Sequence, residues 1–276
     1  MSPADAHAVG ALTPRSALAE DLSTIAVLIR RDVVRFFRER SRVVGALVQP
    51  LIFWLVIGSG MSGTFRLAEA GGLGYREYFY PGVVVMVVLF TAIFTTMSVI
   101  EDRHSGFLQA VLVAPGSRAS VVLGKCLGAA SVALLQSALF LMLAPLAGFA
   151  LGVVAWPLLI AALALACLFL CAFGFGVAWW LDSTAGYHVV MSLLLLPMWI
   201  LSGAMFPAPA TGWIAIVERL NPMSYAVSAV RRALYGGHVP GGTALAGSSA
   251  TLELLALAAF AALAVLWSVH LCGRNR

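Results

Sequence analysis

EDRHSGFLQAVLVAPGSRASVVLGK, residues 101–125, is a charged stretch punctuated by Gly and Pro that lies between two long apolar runs. About 20 mostly apolar residues suffice to cross a bilayer as a helix, and both neighbours meet that length. A stretch this polar between two spans must sit in water. Its basic character places it on the cytoplasmic side, because Lys and Arg bias short loops inward.

The composition fits a bilayer as solvent. The 276 residues are 61% hydrophobic and 11% charged, against about 25% charged in soluble domains. Six runs read as spans: 43–61, 79–100, 122–147, 157–181, 187–205 and 252–271. The segment 126–181 carries no formal charge and is too long for one crossing. It is expected to fold back through Gly148-Phe149-Ala150-Leu151-Gly152 and Trp156-Pro157. The expected fold is therefore an all-α integral membrane protein of six spans. Residues 1–42 form a cytoplasmic N-terminal segment, 43–272 the membrane domain and 273–276 a cytoplasmic tail. The first run is expected to be retained as a signal anchor, since it follows polar and basic residues rather than opening the chain.

The net charge of +5 is concentrated ahead of the first span, in Arg15, Arg30, Arg31, Arg35, Arg38, Arg40 and Arg42. Such a cluster suits the anionic inner leaflet. No basic groove with stacking aromatics is evident, which argues against nucleic acid. Over 20–42, Leu22, Ile25, Ile29, Val33, Phe36 and Phe37 recur at helical spacing with arginines opposite. This predicts an amphipathic helix along the inner membrane surface, with Arg31, Arg35, Phe36 and Arg38 as its interfacial residues.

Several chemistries lack their residues. No G-x-x-x-x-G-K-[ST] phosphate loop occurs in the chain, so no nucleotide is expected to be bound by it. Cys126, Cys167, Cys171 and Cys272 all lie in or beside apolar runs and read as small buried hydrophobes, with no metal-site spacing. Gly60-Met61-Ser62-Gly63 matches the G-x-S-G of rhomboid-type intramembrane proteases, whose chemistry needs a His beside the Ser. His188 falls near the opposite end of its span, about 30 Å away. No catalytic residue and no metal site is expected. His188, Glu253 and His270 near span ends form no evident intramembrane relay of the kind an ion-coupled carrier needs.

Within 101–125, Phe107, Leu108, Val111 and Leu112 recur at helical spacing after Glu101, Asp102 and Arg103, and Pro115-Gly116 ends the run. A short helix over 101–115 is predicted across the cytoplasmic end of the spans, its acids favourable at its N-terminus.

Three blocks together resemble the ATP-binding cassette type-2 permease family, over nearly the whole chain. One is Tyr78-Phe79-Tyr80-Pro81-Gly82. The second is residues 101–125, with Gly106, Leu108, Pro115, Ser117 and Arg118 in register with the family block E-x-x-x-x-G-x-L-x-x-L-x-x-x-P-x-S-R-x-x-x-x-G-K, and Gly124-Lys125 one position beyond its closing G-K. The third is Leu201-Ser202-Gly203-Ala204-Met205-Phe206-Pro207, followed by Asn221-Pro222-Met223-Ser224-Tyr225 and Arg231. The chain departs from the family at Gln109, often Glu there, and at Phe107, often Thr.

The resemblance implies a permease subunit of an exporter in a bacterial inner membrane, working as a pair of permease copies with a separate P-loop ATPase that binds the ATP and Mg. Glu101, Asp102, Arg103, Gly106, Leu108, Gln109, Leu112, Pro115 and Arg118 would form the coupling element to that ATPase. Phe53, Trp54, Phe90, Phe94, Met198 and Trp199 are candidates for a substrate path suited to apolar or amphipathic cargo, such as drug-like compounds or lipid-linked glycans. Between spans five and six, Pro207, Pro209 and Asn221-Pro222 break the chain into short pieces, either re-entrant or external. Pro207, Asn221, Pro222 and Tyr225 are the candidate outer gate. An ATP-independent carrier or channel, and an intramembrane enzyme, are the alternative classes.

Overall fold

The computed structural model describes residues 17–61, 74–113, 116–207, 211–237, 245 and 247–274. Their regular elements are helices: α1 (Ala17–Arg38), α2 (Arg40–Gly60), α3 (Tyr75–Thr96), α4 (Ser98–His104), α5 (Phe107–Val113), α6 (Arg118–Leu141), α7 (Trp156–Trp180), α8 (Thr184–Trp199), α9 (Trp213–Leu220), α10 (Pro222–Leu234) and α11 (Ala250–Arg274). Six stretches are long and apolar enough to cross a membrane: Val43–Gly60, Tyr75–His104, Arg118–Leu141, Trp156–Trp180, Thr184–Ala204 and Ala250–Arg274. All six expected spans are present.

Two spans differ most from expectation. The third span ends at Leu141 rather than 147, because the chain tightens into a 3₁₀ turn over Ala144–Ala147 and reverses at Gly148. The second span is longer than 79–100. It begins at Tyr75 and continues through α4 to His104, its helical bonds carried across Met97 by Ile100 and Glu101 amides donating to the Met97 carbonyl.

The predicted single helix over 101–115 is accordingly two pieces. Gly106 adopts φ +75°, a left-handed conformation that a residue without Cβ enters freely. The helix breaks there and restarts as α5. Glu101, Asp102 and Arg103 thus belong to the end of the second span, and α5 carries Phe107, Leu108 and Gln109. Pro115 lies outside the described residues, as does the side chain of Leu112.

α3 forms the middle of the bundle, buried along almost its whole length against α2, α6 and α7. Between helices in lipid there is no hydrophobic drive, so packing depends on close backbone approach at small residues. The α1–α6 seam shows this. Gly124 and Gly128 lie one helical turn apart, and Cβ atoms added there would stand 2.9 Å from Leu28 Cδ1 and 3.2 Å from Asp32 Cβ. Gly124→Leu is therefore expected to push α1 off α6. The overpacking cost is about 1–3 kcal/mol, read as a lower melting midpoint in detergent and faster proteolysis within 17–38; an unchanged melt would remove this seam from the account of α1 docking.

Candidate functional site

The end of the bundle that carries residues 101–125 gathers α1, α4, α5 and α6 around a set of buried and half-buried ions. Asp102, 2% exposed at its side chain, accepts two bonds from Arg31 (Nη1 2.8 Å, Nη2 2.6 Å) and one from Arg35 (Nη1 3.2 Å). It accepts a fourth from Lys125 Nζ at 2.5 Å. Lys125, 1% exposed, also donates to both Asp32 oxygens at 2.9 and 3.1 Å. Arg35 reaches Glu101 at 2.6 Å and Glu39 at 3.1 Å. Buried charges persist only when paired and hydrogen-bonded, and this set meets that condition by spreading its cations and carboxylates over three helices. Burial pushes the Asp32 carboxyl above its ordinary pKa, and the Lys125 ammonium pulls the other way.

The network explains the sense of α1. Arg31, Asp32 and Arg35 turn toward the protein, while Leu18, Leu22, Val27, Val34 and Phe37 stay exposed. Phe36 is buried, and Arg38 is exposed. The helix start is fixed as well: the Ser117 amide donates to Asp21 Oδ1 at 2.7 Å, which lowers the Asp21 pKa.

α5 is held on its inner side. The Arg31 guanidinium lies 3.6 Å from the Phe107 ring centroid, and Leu108 is buried. Its other side is open: Gln109, Ala110 and Val113 are exposed, Val113 to 86%. Arg103 ties the end of α4 to the end of α7, donating to the Trp179 carbonyl at 2.6 Å and to Asp182 at 2.5 Å. Arg118 donates to the Cys272 carbonyl at 3.2 Å. The coupling candidates therefore divide by role. Asp102 and Leu108 are interior, Glu101 and Arg103 are half-buried in ion pairs, and Gln109 lies on the open face.

At the opposite end, the other two sequence blocks meet. The helix α8 ends in a π turn over Ile200–Ala204. Its carbonyls are taken by side chains from elsewhere: Tyr78 Oη and Arg231 Nη2 donate to the Gly203 carbonyl at 3.0 and 2.9 Å, and Tyr75 Oη donates to Met205 at 3.0 Å. The Arg231 guanidinium, 1% exposed, also lies 4.3 Å from the Tyr78 ring centroid. Asn221 caps α10 through the Met223 amide and donates to the Met198 carbonyl at 2.6 Å. α10 packs against α3, α7, α11 and the π turn, so it is seated among the span ends, with Pro222 buried.

Glu253, fully buried, fastens α10 to α11. It accepts from Ser228 (2.7 Å), Ser248 (2.6 Å) and Arg232 (3.0 and 3.2 Å). Tyr225 donates to the Arg219 carbonyl at 2.7 Å, and Pro207 is half-buried. Pro209 lies outside the described residues. The α9 side chains Trp213, Ile216 and Leu220 are exposed.

Two of the substrate-path candidates are interior. Trp54 donates to the Arg76 carbonyl at 3.1 Å, and Trp199 donates to the Gly82 carbonyl at 2.7 Å. Both indoles are buried in the bundle. Phe53, Phe90, Phe94 and Met198 are half-buried, and Phe94 meets His188 edge-on at 5.6 Å. Ser62 lies outside the described residues. Gly60, two positions before it, ends α2 opposite the 101–125 end, whereas His188 lies in the first turns of α8 at that end. The four cysteines are free thiols in apolar surroundings.

The sequence alone did not show the ion set that joins α1 to α4 and α6. The signal in the sequence was the spacing of Arg31 and Arg35 one turn apart, with Glu101, Asp102 and Lys125 the ions nearest the ends of the second and third spans.

A family model described as ABC-2 type transporter matches residues 23–235. The chain is 26% identical over 213 residues to the transport permease ycf38 of Cyanophora paradoxa, covering 74% of this chain and 72% of that one. It is 25% identical over 240 residues to ycf38 of Porphyra purpurea, covering 79% and 76%. It is also 26% identical over 233 residues to the daunorubicin resistance ABC transporter permease protein DrrB1 of Streptomyces coeruleorubidus, covering 80% and 78%.

Proposed function

This chain belongs to the ABC-2 type transporter family, and from that premise we propose that it is the membrane half of an ATP-driven exporter in a bacterial inner membrane, both termini facing the cytosol. It works as a pair of copies with a separate ATPase subunit, which binds the ATP and Mg. Its cargo is hydrophobic or amphipathic. The chain itself does no covalent chemistry.

The observation that carries this reading is the construction of α5. Its inner side is locked to α1, α4 and α6 through Arg31, Phe107, Leu108 and the ions behind them. Its outer side, Gln109, Ala110 and Val113, is free to be covered. A displacement imposed on that open face would reach α1 and the second span as a rigid movement, because packed elements shift between discrete arrangements rather than deform. The four half-buried candidates Phe53, Phe90, Phe94 and Met198 belong to α2, α3 and α8. The exposed apolar flanks of α2 and α8 offer lipid or a second copy a matching surface.

Val113→Asp with Ala110→Trp is the direct test. Both side chains are exposed, so the purified permease keeps its melting midpoint. ATP-dependent cargo uptake into inside-out vesicles containing the ATPase falls by at least tenfold, and co-purification of the ATPase weakens. Wild-type transport by the double variant refutes docking at α5. Uphill transport by liposomes holding this chain alone refutes the ATP-driven reading entirely.

A further inference from the structure

A groove of about 660 Å³ runs along α1, lined by Val27, Arg30, Arg31, Val34, Arg35, Arg38 and Glu39. The lining residues recur at three- and four-residue steps, so they form one stripe of the helix. Two of its cations are committed: Arg31 and Arg35 bind Asp102, Glu101 and Glu39. Arg30 and Arg38 are exposed, and among the described residues neither has a carboxylate partner. They sit eight residues apart, about 12 Å along the helix axis, within the joint reach of two arginine side chains. Exposed Val34 lies between them, and exposed Val27 lies one turn before Arg30.

We propose that this groove holds the headgroup of an anionic phospholipid, with the phosphate between Arg30 and Arg38 and the glycerol and first methylenes on Val27 and Val34. Charge decides for this occupant. The uncommitted side chains of the stripe are cationic or apolar, and its only lining carboxylate, Glu39, is engaged by Arg35. The same helix exposes Leu18, Leu22 and Phe37, which suits insertion at a lipid interface rather than immersion in water. Guanidinium groups match phosphate oxygens in geometry as well as sign. The lipid then seats α1 from outside while Asp102 and Lys125 hold it from inside. This inference rests on α1 lying at a membrane surface and does not depend on ATP-driven transport.

The test is lipid retention, measured by native mass spectrometry on full-length permease released from bilayers of equal parts phosphatidylglycerol and phosphatidylcholine. Wild type keeps phosphatidylglycerol selectively. Arg30→Gln with Arg38→Gln lowers that affinity by roughly 30-fold, the loss of two surface cations. Arg30→Lys with Arg38→Lys retains most of it, and Arg219→Gln, at the opposite end of the bundle, changes nothing. Both arginines are exposed, so circular dichroism and the melting midpoint of each variant stay at wild-type values in phosphatidylcholine alone. Absence of a phosphatidylglycerol preference in wild type overturns the proposal, and so does equal retention by the Gln variant. It is also overturned if hydrogen exchange across 27–38 is slowed by an added ATPase subunit and left unmoved by phosphatidylglycerol, because the groove then belongs to a protein.

Discussion

Asp102→Ala is expected to lower stability by about 3 kcal/mol, the low end of what removing one partner of a buried ion pair costs. The side chain accepts four bonds from three cations. Arg31 and Arg35 are partly exposed, so water recovers much of their loss. Lys125 has no such recourse: it is 1% exposed and keeps Asp32 alone. The consequence is mechanical, because Asp102 is the point where α1, the second span and the third span are joined. Its removal should detach α1, seen as rapid protease cleavage within 17–38 and an early first transition in thermal melting.

The neighbouring acid provides the contrast. Glu101 pairs with Arg35 at 2.6 Å, with both side chains partly exposed at 26% and 31%. A pair so exposed contributes about 0–1 kcal/mol, and Glu101→Ala should melt within about that margin. A second contrast separates charge balance from shape. Asp102→Leu combined with Lys125→Met removes the two most buried charges of this network and leaves Asp32 beside Arg31 at 3.5 Å. Replacing a buried pair by apolar residues of similar volume is often neutral, so the double variant should recover most of the loss. If it melts no higher than Asp102→Ala, the ions act as something other than a matched set.

The six spans were legible because a span needs only length and apolarity, and both are local. The interruptions were less so. The break at Gly106 looks in sequence like one more glycine in a polar stretch, and a helix over 101–115 was the simpler reading. Its position matters, since it moves Glu101 to Arg103 from the short helix expected over 101–115 onto the second span. The ion network was invisible for a different reason. Arg31 and Asp102 are 71 residues apart in the chain and meet only once α1 folds against α6. Hydropathy treats α1 as an amphipathic surface helix with arginines facing water. Three-dimensional packing turns two of those arginines inward, because buried carboxylates are waiting there. Trp54 and Trp199 show the ambiguity of composition: an aromatic in a span reads equally as path lining or packing, and here both indoles are buried with their N–H groups on the Arg76 and Gly82 carbonyls.

Gly82→Ala is the second large effect expected, out of proportion to one methyl group. A Cβ at Gly82 would stand 2.7 Å from Ala204 Cβ, 2.8 Å from the Ala204 carbonyl oxygen and 2.9 Å from its Cα. Two of those three atoms are backbone, so no rotamer change clears the clash, and the second and fifth spans must separate. Overpacking of this kind costs about 1–3 kcal/mol, with Gly82→Val beyond Gly82→Ala. The movement also stretches the Trp199 bond to the Gly82 carbonyl and the Tyr78 and Arg231 bonds to Gly203. Gly45, in α2, is the control. Nothing lies within 4 Å of a Cβ there, so Gly45→Ala should be neutral or stabilising by up to about 1 kcal/mol through helix propensity. Adding Ala204→Gly to Gly82→Ala removes the contact at 2.7 Å and leaves the two backbone contacts, so it should restore part of the melting midpoint and not all of it. That partial rescue distinguishes close approach from flexibility. Were Gly82 present to let the helix bend after Pro81, Gly82→Ala would impair transport at an unchanged melting temperature, and trimming Ala204 would restore nothing.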